Sequence, residues 1–453
     1  MKNILVLGAG RSASTLIRYL LRHAQTEDWH LIVADRDLEL AQQKVAGADC
    51  AEAVFFDVRN QLQTRREVAR ADVVVSMLPA SLHMGVAKAC LEYARPLVTA
   101  SYVSEEMQAL DREVSHKGLL FLNEMGLDPG IDHLSAMKVL DELRQSGARV
   151  TLFKSYAGGL IAPEADTNPW RYKFTWNPRN VVLAGQGTAR FIERQRHRFV
   201  PYHRIFKTLE PIVIEGVDKF EGYPNRNSLA YRHIYGLEDV PTLQRGTIRY
   251  EGFCQKWDAL VQLGLTEDSY VIEDSAHMSY RDFTAAFLPA DEPDLKKSLS
   301  QLLGLKPYGE TLRAIEWLGL LDAERPIGLE AATPAAILQQ LLEEKWKLGA
   351  QDRDMIVMQH KFGYELEGKV YLRYDSLVAY GEDTEQTAMA KCVGLPLGIA
   401  VRNILAGTFA GVCGVCRPVV PAIYNPALKE LAEHGITFTE RLEASTPDLV
   451  GVN

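Results

Sequence analysis

The feature that most constrains the fold is a regular alternation of short apolar runs and helical patterns over residues 1–125. Helix-length segments such as 13–23 and 82–93 carry leucine, alanine and cysteine side chains on one face. The strand-length runs between such segments, rich in β-branched and other apolar residues, are 4–7, 31–34, 54–56, 73–77, 97–99 and 119–122. Strict alternation predicts parallel strands joined by right-handed crossovers. The predicted fold class is therefore α/β, with a doubly wound parallel sheet that binds ligands at the carboxyl ends of its strands.

The first turn after a predicted strand carries a glycine pattern typical of dinucleotide-binding proteins. Residues 8–13 read Gly-Ala-Gly-Arg-Ser-Ala, a G-x-G-x-x-A sequence that directly precedes a predicted helix. Gly8 permits a tight turn, and Gly10 lets a pyrophosphate approach the backbone at the helix N-terminus. Because Asp35 also ends the second predicted strand, we expect a Rossmann-type domain that binds NAD or NADP.

The cofactor choice depends on residues that follow the second strand. The carboxylate of Asp35 accepts hydrogen bonds from both adenine-ribose hydroxyls and repels a 2′-phosphate, which slightly favours NAD. Arg36 offers two interpretations: a guanidinium that holds the 2′-phosphate of NADP, or a solvated side chain stacked over adenine. Among the other strand ends, Asp57-Val58 is expected near the adenine. The ends expected near the nicotinamide are Leu78-Pro79 and Thr99-Ala100-Ser101.

After residue 125 the regular alternation of strand-like and helical segments ends, and the sequence predicts further domains. Irregularly spaced strand-like runs predict an α+β, mixed-sheet substrate domain over 126–254 and 351–384. Helical periodicity predicts a helical insertion domain over 255–350. The apolar helix predicted over 384–407 is expected to dock on the first domain, so that residues 1–125 are completed by about 385–453.

Two turns in the substrate domain are candidates for its binding chemistry. Asp128 lies in a turn that leaves the last Rossmann strand at the nicotinamide end, so we expect it to contact cofactor and substrate. Asp132, four residues later, is a plausible helix N-cap. Arg226 lies in a polar turn, where its planar guanidinium suits a carboxylate, although an arginine that caps the turn fits the pattern equally well. The run Arg245-Gly246-Thr247-Ile248 offers backbone donors and a hydroxyl at a strand start, with the same structural alternative. The aromatic loop 168–176 is expected to be a packed loop.

Composition narrows the classes of partner. With 50 Lys and Arg against 59 Asp and Glu, the formal charge of −9 argues against a nucleic-acid binder. The most apolar stretch, 392–401, is too short to span a bilayer, so no membrane segment is expected. Six cysteines in 453 residues indicate a reduced, cytoplasmic protein, and Cys413 and Cys416 are expected to be a buried structural pair. No metal-ligand spacing is present in the sequence.

Several motifs, in chain order, resemble those of the saccharopine dehydrogenase family of the glutamate-forming kind, also called saccharopine reductase. The most specific is Gly-Leu-Asp-Pro-Gly-Ile-Asp-His at 126–133. Others are Ser-Met-Leu-Pro at 76–79, Tyr-Pro-Asn-Arg at 223–226 and Arg-Gly-Thr-Ile-Arg-Tyr-Glu-Gly-Phe at 245–253. The likeness runs from residue 1 to about residue 265 and continues more loosely to the end.

The resemblance implies a Rossmann domain, a mixed α/β substrate and dimerisation domain, and a helical third domain. It implies an NAD(P)-dependent oxidoreductase of lysine metabolism that condenses 2-aminoadipate 6-semialdehyde with glutamate to saccharopine, reversibly, as a homodimer. The cofactor contacts that the resemblance implies are Ala9, Gly10, Arg11, Ser12, Asp35, Arg36, Asp37, Asp57, Val58, Leu78, Thr99, Ala100, Leu127, Asp128, Pro129 and Thr175. The implied substrate contacts are Ala100, Ser101, Asp128, Arg226, Gly246, Thr247 and Ile248.

Two departures from the family pattern bear on specificity. Fungal members, which use NADP, carry a small residue in place of Asp35, and they carry Ser in place of Ala100. The first difference argues against an NADP preference, and the second leaves the exact amino-acid substrate open. Asp128 is the candidate catalytic residue, to balance an iminium charge or to accept a hydrogen bond from the secondary amine. Two alternatives remain: a non-catalytic NAD-binding regulator on the same scaffold, and an imine reductase with a different amino-acid substrate.

Overall fold

The N-terminal part of the protein alternates strands and helices. The structure is a computed structural model that describes residues 1–184 and 186–446. The strands of this part are Lys2–Leu7 (β1), Trp29–Asp35 (β2), Ala51–Phe55 (β3), Val73–Ser76 (β4), Leu97–Thr99 (β5) and Leu120–Leu122 (β6). The helices are Ser14–Ala24 (α1), Leu38–Val45 (α2), Gln61–Arg70 (α3), His83–Glu92 (α4), Glu105–Ala109 (α5) and Asp111–His116 (α6). All six predicted strands are present within a few residues of the predicted positions.

A second, mixed sheet follows the helix Ile131–Gln145 (α7). Its first strands are Arg149–Ile161 (β7), Ala189–Glu193 (β8), Arg196–Val200 (β9), Glu210–Ile214 (β10), Asp218–Pro224 (β11), Thr242–Tyr250 (β12), Asp354–Leu366 (β13) and Lys369–Tyr380 (β14). Short helices at Pro178–Val182 (α8), Tyr202–Ile205 (α9) and Tyr231–Ile234 (α10) interrupt these strands. Strand β7 pairs parallel with β12 and antiparallel with β13, which confirms the predicted mixed sheet.

Helices occupy the segment between β12 and β13. They are Phe253–Gln262 (α11), Tyr280–Ala285 (α12), Leu295–Leu303 (α13), Glu310–Leu318 (α14) and Pro334–Lys345 (α15). The Thr333 side chain caps α15 by accepting a hydrogen bond from the amide of Ala336. The indoles of Trp170, Trp257 and Trp346 are fully buried together, so the loop 168–176 packs into the core of this helical part.

The last part of the chain contributes one strand to each of the two sheets. It forms Ala388–Leu405 (α16), Gly414–Cys416 (β15), Pro421–Glu433 (α17) and Phe438–Ala444 (β16). In the described part of the chain, the first sheet has the order β15-β6-β5-β4-β1-β2-β3, and all of its pairings are parallel. The second sheet has the order β10-β11-β12-β7-β13-β14-β16; in addition, β8 pairs with β12, and β9 pairs with β8. The sequence pattern did not reveal β15, which has three residues and lies outside the region where strands and helices alternate regularly.

Helix α16 packs on α1, as its apolar character predicted. A Cβ atom at Gly394 would lie 2.7 Å from the backbone nitrogen of Leu16, so a larger residue would push the two helices apart. By length and composition alone this helix is apolar enough to cross a membrane, but 67% of it is buried inside the protein.

Several expectations need correction or stay open. Strand β16 joins the second sheet through β14, so the segment after α17 does not complete the first domain as predicted. The remaining domain boundaries stay predictions, and residues 447–453 of the last predicted segment lie outside the described residues. Cys413 is exposed and Cys416 half-buried, so they are not a buried pair; their thiols are free.

Candidate active site

The glycine turn lies at the carboxyl end of β1, between β4 and β2. Gly8 has a φ of +103°, and a Cβ there would lie 3.2 Å from the carbonyl oxygen of Met77, so both its conformation and its surroundings favour glycine. At Gly10, by contrast, nothing lies within 4 Å of a Cβ position. This residue opens on a cleft, and no side chain caps the helical turn that follows it. Its open backbone is what the approach of a diphosphate requires.

Asp35 connects the turn to the end of β2. One carboxylate oxygen accepts a hydrogen bond from the amide of Ala9 at 2.6 Å, and the other accepts one from the amide of Asp37 at 2.9 Å. The next side chain, Arg36, is exposed. The Asp37 carboxylate caps α2 by accepting a hydrogen bond from the amide of Leu40 at 3.0 Å, so that side chain already has a structural role.

The other predicted cofactor contacts lie along the same edge of the sheet. Asp57 accepts a hydrogen bond from the amide of Arg59 at 3.1 Å and is half-buried, as are Val58 and Leu78. Thr99 is buried and accepts a hydrogen bond from the amide of Ser101 at 3.2 Å. The remaining members of this set at the edge are Arg11, Ser12, Ala100, Leu127 and Pro129. Their cofactor contacts stay predictions.

The cleft has a second wall, which the sequence did not reveal. It encloses about 500 Å³ between residues 10–13 and side chains of the substrate and helical parts. The side chains of this second wall include Phe174, Trp176, Glu343 and Lys347. Thr175 is buried beside this wall, and its hydroxyl has no hydrogen-bond partner among the described residues. The open backbone at Gly10 and this unpartnered hydroxyl fit a bound dinucleotide, for which residues 9–12 and Asp35 are the predicted contacts.

A smaller pocket of about 190 Å³ adjoins the carboxyl end of β5. It is lined mainly by Tyr102, Asp128, Arg226, Tyr231 and Arg245. The guanidinium carbon of Arg226 lies 5.6 Å from the Tyr102 ring, and within the described parts of the chain this guanidinium forms no ion pair. The pocket therefore presents an exposed cation that forms no ion pair with a carboxylate of the described residues, although its positive charge acts to lower the pKa of Asp128.

A buried ion cluster forms the floor of this pocket. Arg245 donates hydrogen bonds to Asp128, at 2.5 Å, and to Asp132. Its guanidinium carbon also lies 4.0 Å from the Tyr231 ring centroid. The prediction that Asp132 is the N-cap of α7 is wrong. That position belongs to Gly130, whose amide donates to the Asp132 carboxylate at 2.6 Å.

The pKa values of the two carboxyl groups in this cluster are shifted in opposite directions. Burial, reinforced by the negative charge of Asp132, raises the pKa of Asp128 although Arg245 opposes the shift. Burial also acts to raise the pKa of Asp132, but the nearby His133 and Arg245 outweigh it and lower that pKa. Asp128 is thus the carboxyl group that takes up a proton first, and its side chain remains 27% exposed to the pocket.

His133 is held in a buried hydrogen-bond network. Its Nε2 lies 2.8 Å from Glu124, and its Nδ1 lies 2.6 Å from the Tyr235 hydroxyl. Glu124 also accepts hydrogen bonds from Arg417, just after β15, and from the amide of Val103. The imidazole is completely buried, and both of its ring nitrogens are bonded to neighbouring side chains.

The predicted substrate contacts on β12 differ in accessibility. Gly246 lines the pocket and Thr247 is half-buried, whereas Ile248 is completely buried. Ile248 offers no surface to a ligand in this conformation, and its substrate contact stays a prediction. Tyr102, Tyr231 and Arg245 line the pocket but were not predicted as site residues, because their positions depend on how the two sheets meet. Among residues 1–184 and 186–446 no group of three His, Cys, Asp or Glu side chains is placed to hold a metal ion.

The parallel sheet, its glycine turn and the adjoining cationic pocket define a dinucleotide-dependent oxidoreductase. A family model described as "Saccharopine dehydrogenase C-terminal domain" matches residues 126–436, and one described as "Saccharopine dehydrogenase NADP binding domain" matches residues 4–122. The chain belongs to the saccharopine dehydrogenase family, and the predicted resemblance is confirmed.

Relatives match this chain over nearly its whole length. Proteins named saccharopine dehydrogenase [NADP(+), L-glutamate-forming] from Schizosaccharomyces pombe and Saccharomyces cerevisiae are 33% and 34% identical to it. The matches cover 98% of this chain in both cases, and 99% and 100% of the relatives. The mitochondrial alpha-aminoadipic semialdehyde synthase of Mus musculus is 33% identical over 96% of this chain, which corresponds to 47% of that longer protein.

Solved structures show the same architecture. The apo saccharopine dehydrogenase (L-Glu forming) from Saccharomyces cerevisiae superposes with a TM-score of 0.88 at 33% identity, over 98% of this chain and 100% of that one. A homospermidine synthase from Legionella pneumophila, solved with NAD, shares the fold alone, with a TM-score of 0.56 and 9% identity over 98% of this chain and 92% of that one. The predicted fold class is confirmed.

Proposed function

We propose that this protein catalyses the reversible, NAD(P)-dependent condensation of 2-aminoadipate 6-semialdehyde with glutamate to saccharopine. The observation that carries the proposal is the guanidinium of Arg226, which forms no ion pair among the described residues and lies with Asp128 in a pocket at the carboxyl ends of the Rossmann strands. The names of the relatives, at 33–34% identity over nearly the whole chain, support the same reaction.

The pocket suits a substrate with several carboxylates. Arg226 is exposed to it and is free to bind one carboxylate in a bidentate manner. Arg245 is already held by two aspartates, so it maintains the shape of the pocket more than it binds substrate. A bound dinucleotide would supply the hydride for the imine carbon, or would take it up in the reverse direction. By holding substrate and cofactor in one cleft, the protein supplies proximity and orientation.

Asp128 is the residue that we assign to the nitrogen of the substrate. Its carboxylate lines the pocket and is partly exposed, and it accepts hydrogen bonds from Arg245 and, at 3.5 Å, from the Tyr102 hydroxyl. A carboxylate there balances the charge of a protonated imine or accepts a hydrogen bond from the secondary amine. Its raised pKa, caused by burial and by Asp132, places its protonation closer to neutral pH than that of an ordinary aspartate.

A direct assay tests the reaction. Purified protein is mixed with saccharopine and either NAD or NADP, and formation of the reduced cofactor is followed by its absorbance. Release of glutamate in proportion to reduced cofactor supports the proposal. Tight cofactor binding without turnover of saccharopine favours the non-catalytic regulator instead. Turnover of another secondary amine of an amino acid, but not of saccharopine, favours an imine reductase of different specificity.

For the cofactor, we propose that Asp35 favours NAD over NADP. Its carboxylate lies between the glycine turn and the end of β2, where it repels a 2′-phosphate. Both fungal relatives described above are named for NADP, so the choice needs a measurement in this chain. We expect Asp35→Ser to lower the ratio of kcat/KM for NAD to kcat/KM for NADP by about tenfold, equivalent to about 1.4 kcal/mol. Arg36→Ala tests the opposing role, since loss of NADP activity alone would assign the 2′-phosphate to Arg36.

We further propose that the protein is a cytoplasmic homodimer that binds neither nucleic acid nor membranes. The family resemblance supports dimerisation, and the acidic net charge argues against nucleic acid. The six free thiols agree with a reducing compartment. Light scattering after gel filtration measures the mass in solution, and a monomeric mass at micromolar concentration would contradict the dimer.

A further inference from the structure

A hydrogen-bonded chain of three side chains lies at the carboxyl ends of β4 and β5, where the nicotinamide is expected. His83, the first residue of α4, places Nδ1 2.8 Å from the Ser76 hydroxyl at the end of β4. Its Nε2 lies 2.7 Å from the Ser101 hydroxyl and 3.4 Å from that of Thr99. The sequence analysis did not single out His83, because only the fold brings α4 beneath the ends of β4 and β5.

The inner end of this chain is closed to solvent. Ser76 is 1% exposed and His83 is 5% exposed, and the Ser76 hydroxyl has no hydrogen-bond partner other than His83 among the described residues. A chain that ends in a buried hydroxyl does not conduct protons to water. Its role is therefore orientation, and the outer member, Ser101, is the group that it orients.

Hydrogen-bond accounting fixes the direction of the chain. A buried hydroxyl without an acceptor for its proton costs more free energy than one with an unused lone pair. Ser76 therefore donates to Nδ1 of His83, and the neutral ring then carries its proton on Nε2. That proton is donated to the oxygen of Ser101. The hydroxyl hydrogen of Ser101 is consequently free to point away from the imidazole.

We propose that His83 is a positioning residue that holds the Ser101 hydroxyl as a hydrogen-bond donor to an anionic oxygen of the bound substrate. The inference rests on the proposed function, because it assigns Ser101 to a carboxylate-bearing amino-acid substrate. It adds a residue that contacts neither substrate nor cofactor and acts only through Ser101.

The first test reads the tautomer and is independent of turnover. Long-range ¹⁵N–¹H correlation spectra of ¹⁵N-histidine-labelled protein at neutral pH report which ring nitrogen carries the proton. The His83 signal is identified by its loss in His83→Gln. We expect a neutral ring protonated on Nε2. A ring protonated on Nδ1 would overturn the proposal whatever the activity of the enzyme.

The second test is a double-mutant cycle. We expect Ser101→Ala and His83→Leu each to raise the KM for saccharopine about tenfold, and their combination to raise it no further, because one residue acts through the other. The dissociation constant for the dinucleotide should stay unchanged, and His83→Gln should recover part of the KM effect if its amide donates to Ser101.

Controls separate failure of this inference from failure of the proposed function. His116→Leu, an exposed histidine in the same domain, should leave KM unchanged. Additive effects of the two substitutions, or equal losses of substrate and cofactor affinity in His83→Leu, would overturn the positioning role. Absence of saccharopine turnover in the unmodified protein would instead reject the proposed function, and the tautomer measurement would then decide the orientation of Ser101 alone.

Discussion

The two sides of the cleft are built in different ways. The dinucleotide side comes from contiguous sequence, since the turn at 8–13 and the carboxylate of Asp35 belong to one strand–helix–strand unit. The amino-acid side is assembled from distant parts of the chain, because Arg245 meets Asp128 across 117 residues and Asp132 across 113 residues. The first side depends on backbone shape, and the second depends on buried charge. Substitutions should therefore affect the two sides differently.

The largest effect is expected at the buried ion cluster. Arg245→Met removes the cation that both aspartates face, and we expect a loss of about 4 kcal/mol in the free energy of unfolding because uncompensated buried charge remains. Urea denaturation measures this loss. Arg441→Met, which removes an exposed ion pair with Glu443, is the matched control and should change stability by less than about 1 kcal/mol. Equal stability of the two variants would contradict the distinction between the two sides.

Low pH should decrease the free energy of unfolding through two buried histidines, one on each side of the cleft. Burial lowers the pKa of His83, on the dinucleotide side, and of His360, in strand β13 of the second sheet, to about 4 each. Because the unfolded chain takes up these protons near pH 6.5, the stability that the two neutral histidines contribute is fully present above that pH. It is lost progressively as pH falls towards 4, by about 3 kcal/mol per histidine.

Denaturation midpoints between neutral and acidic pH measure this slope. We expect His83→Gln and His360→Gln each to flatten the dependence, whatever their effect on stability at neutral pH. His116→Gln, at an exposed position, should leave the slope unchanged. A slope that persists in the double variant would mean that other groups bind the protons.

Removal of the exposed cation should affect only the amino-acid side. Arg226→Ala is expected to raise the KM for saccharopine about thirtyfold, because a charged hydrogen bond to a carboxylate is lost. The free energy of unfolding and the dissociation constant for the dinucleotide should not change, since the side chain is exposed and forms no ion pair in the described part of the chain. Arg198→Ala, on the exposed strand β9, is the control. Equal weakening of cofactor and substrate binding would show that Arg226 serves both sides.

The smallest effect is expected at the second glycine of the turn. Gly10 has a φ of −62° and open space around a Cβ position, so Gly10→Ala should leave stability unchanged. It should weaken dinucleotide binding about tenfold, because the added methyl group enters the path of the diphosphate. Fluorescence titration with the reduced cofactor measures the affinity.

Gly8→Ala provides the contrast, since its positive φ and the carbonyl oxygen of Met77 should make that variant unstable. If Gly10→Ala binds cofactor normally, the diphosphate does not pass over this turn.

The sequence alone determined the parallel sheet, the glycine turn and the acidic residue after β2. These features are local, because strand and helix periodicity and turn chemistry are properties of neighbouring residues. The turns at Asp128 and Arg226 were candidates from their own residues, and the family motifs added the reaction. The motif at 126–133 could not show that Asp132 faces Arg245 instead of capping α7, since the arginine arrives from β12.

Only the tertiary structure decided how the cleft is completed. The short strand β15 extends the first sheet, β16 extends the second, and Lys347 of the helical part borders the glycine turn. Tyr102 likewise reaches Arg226, and His83 reaches Ser101, only because separate segments meet at one edge of the sheet. Contacts of this kind depend on where segments far apart in the sequence pack against each other. Periodicity in the sequence carries no information about that packing.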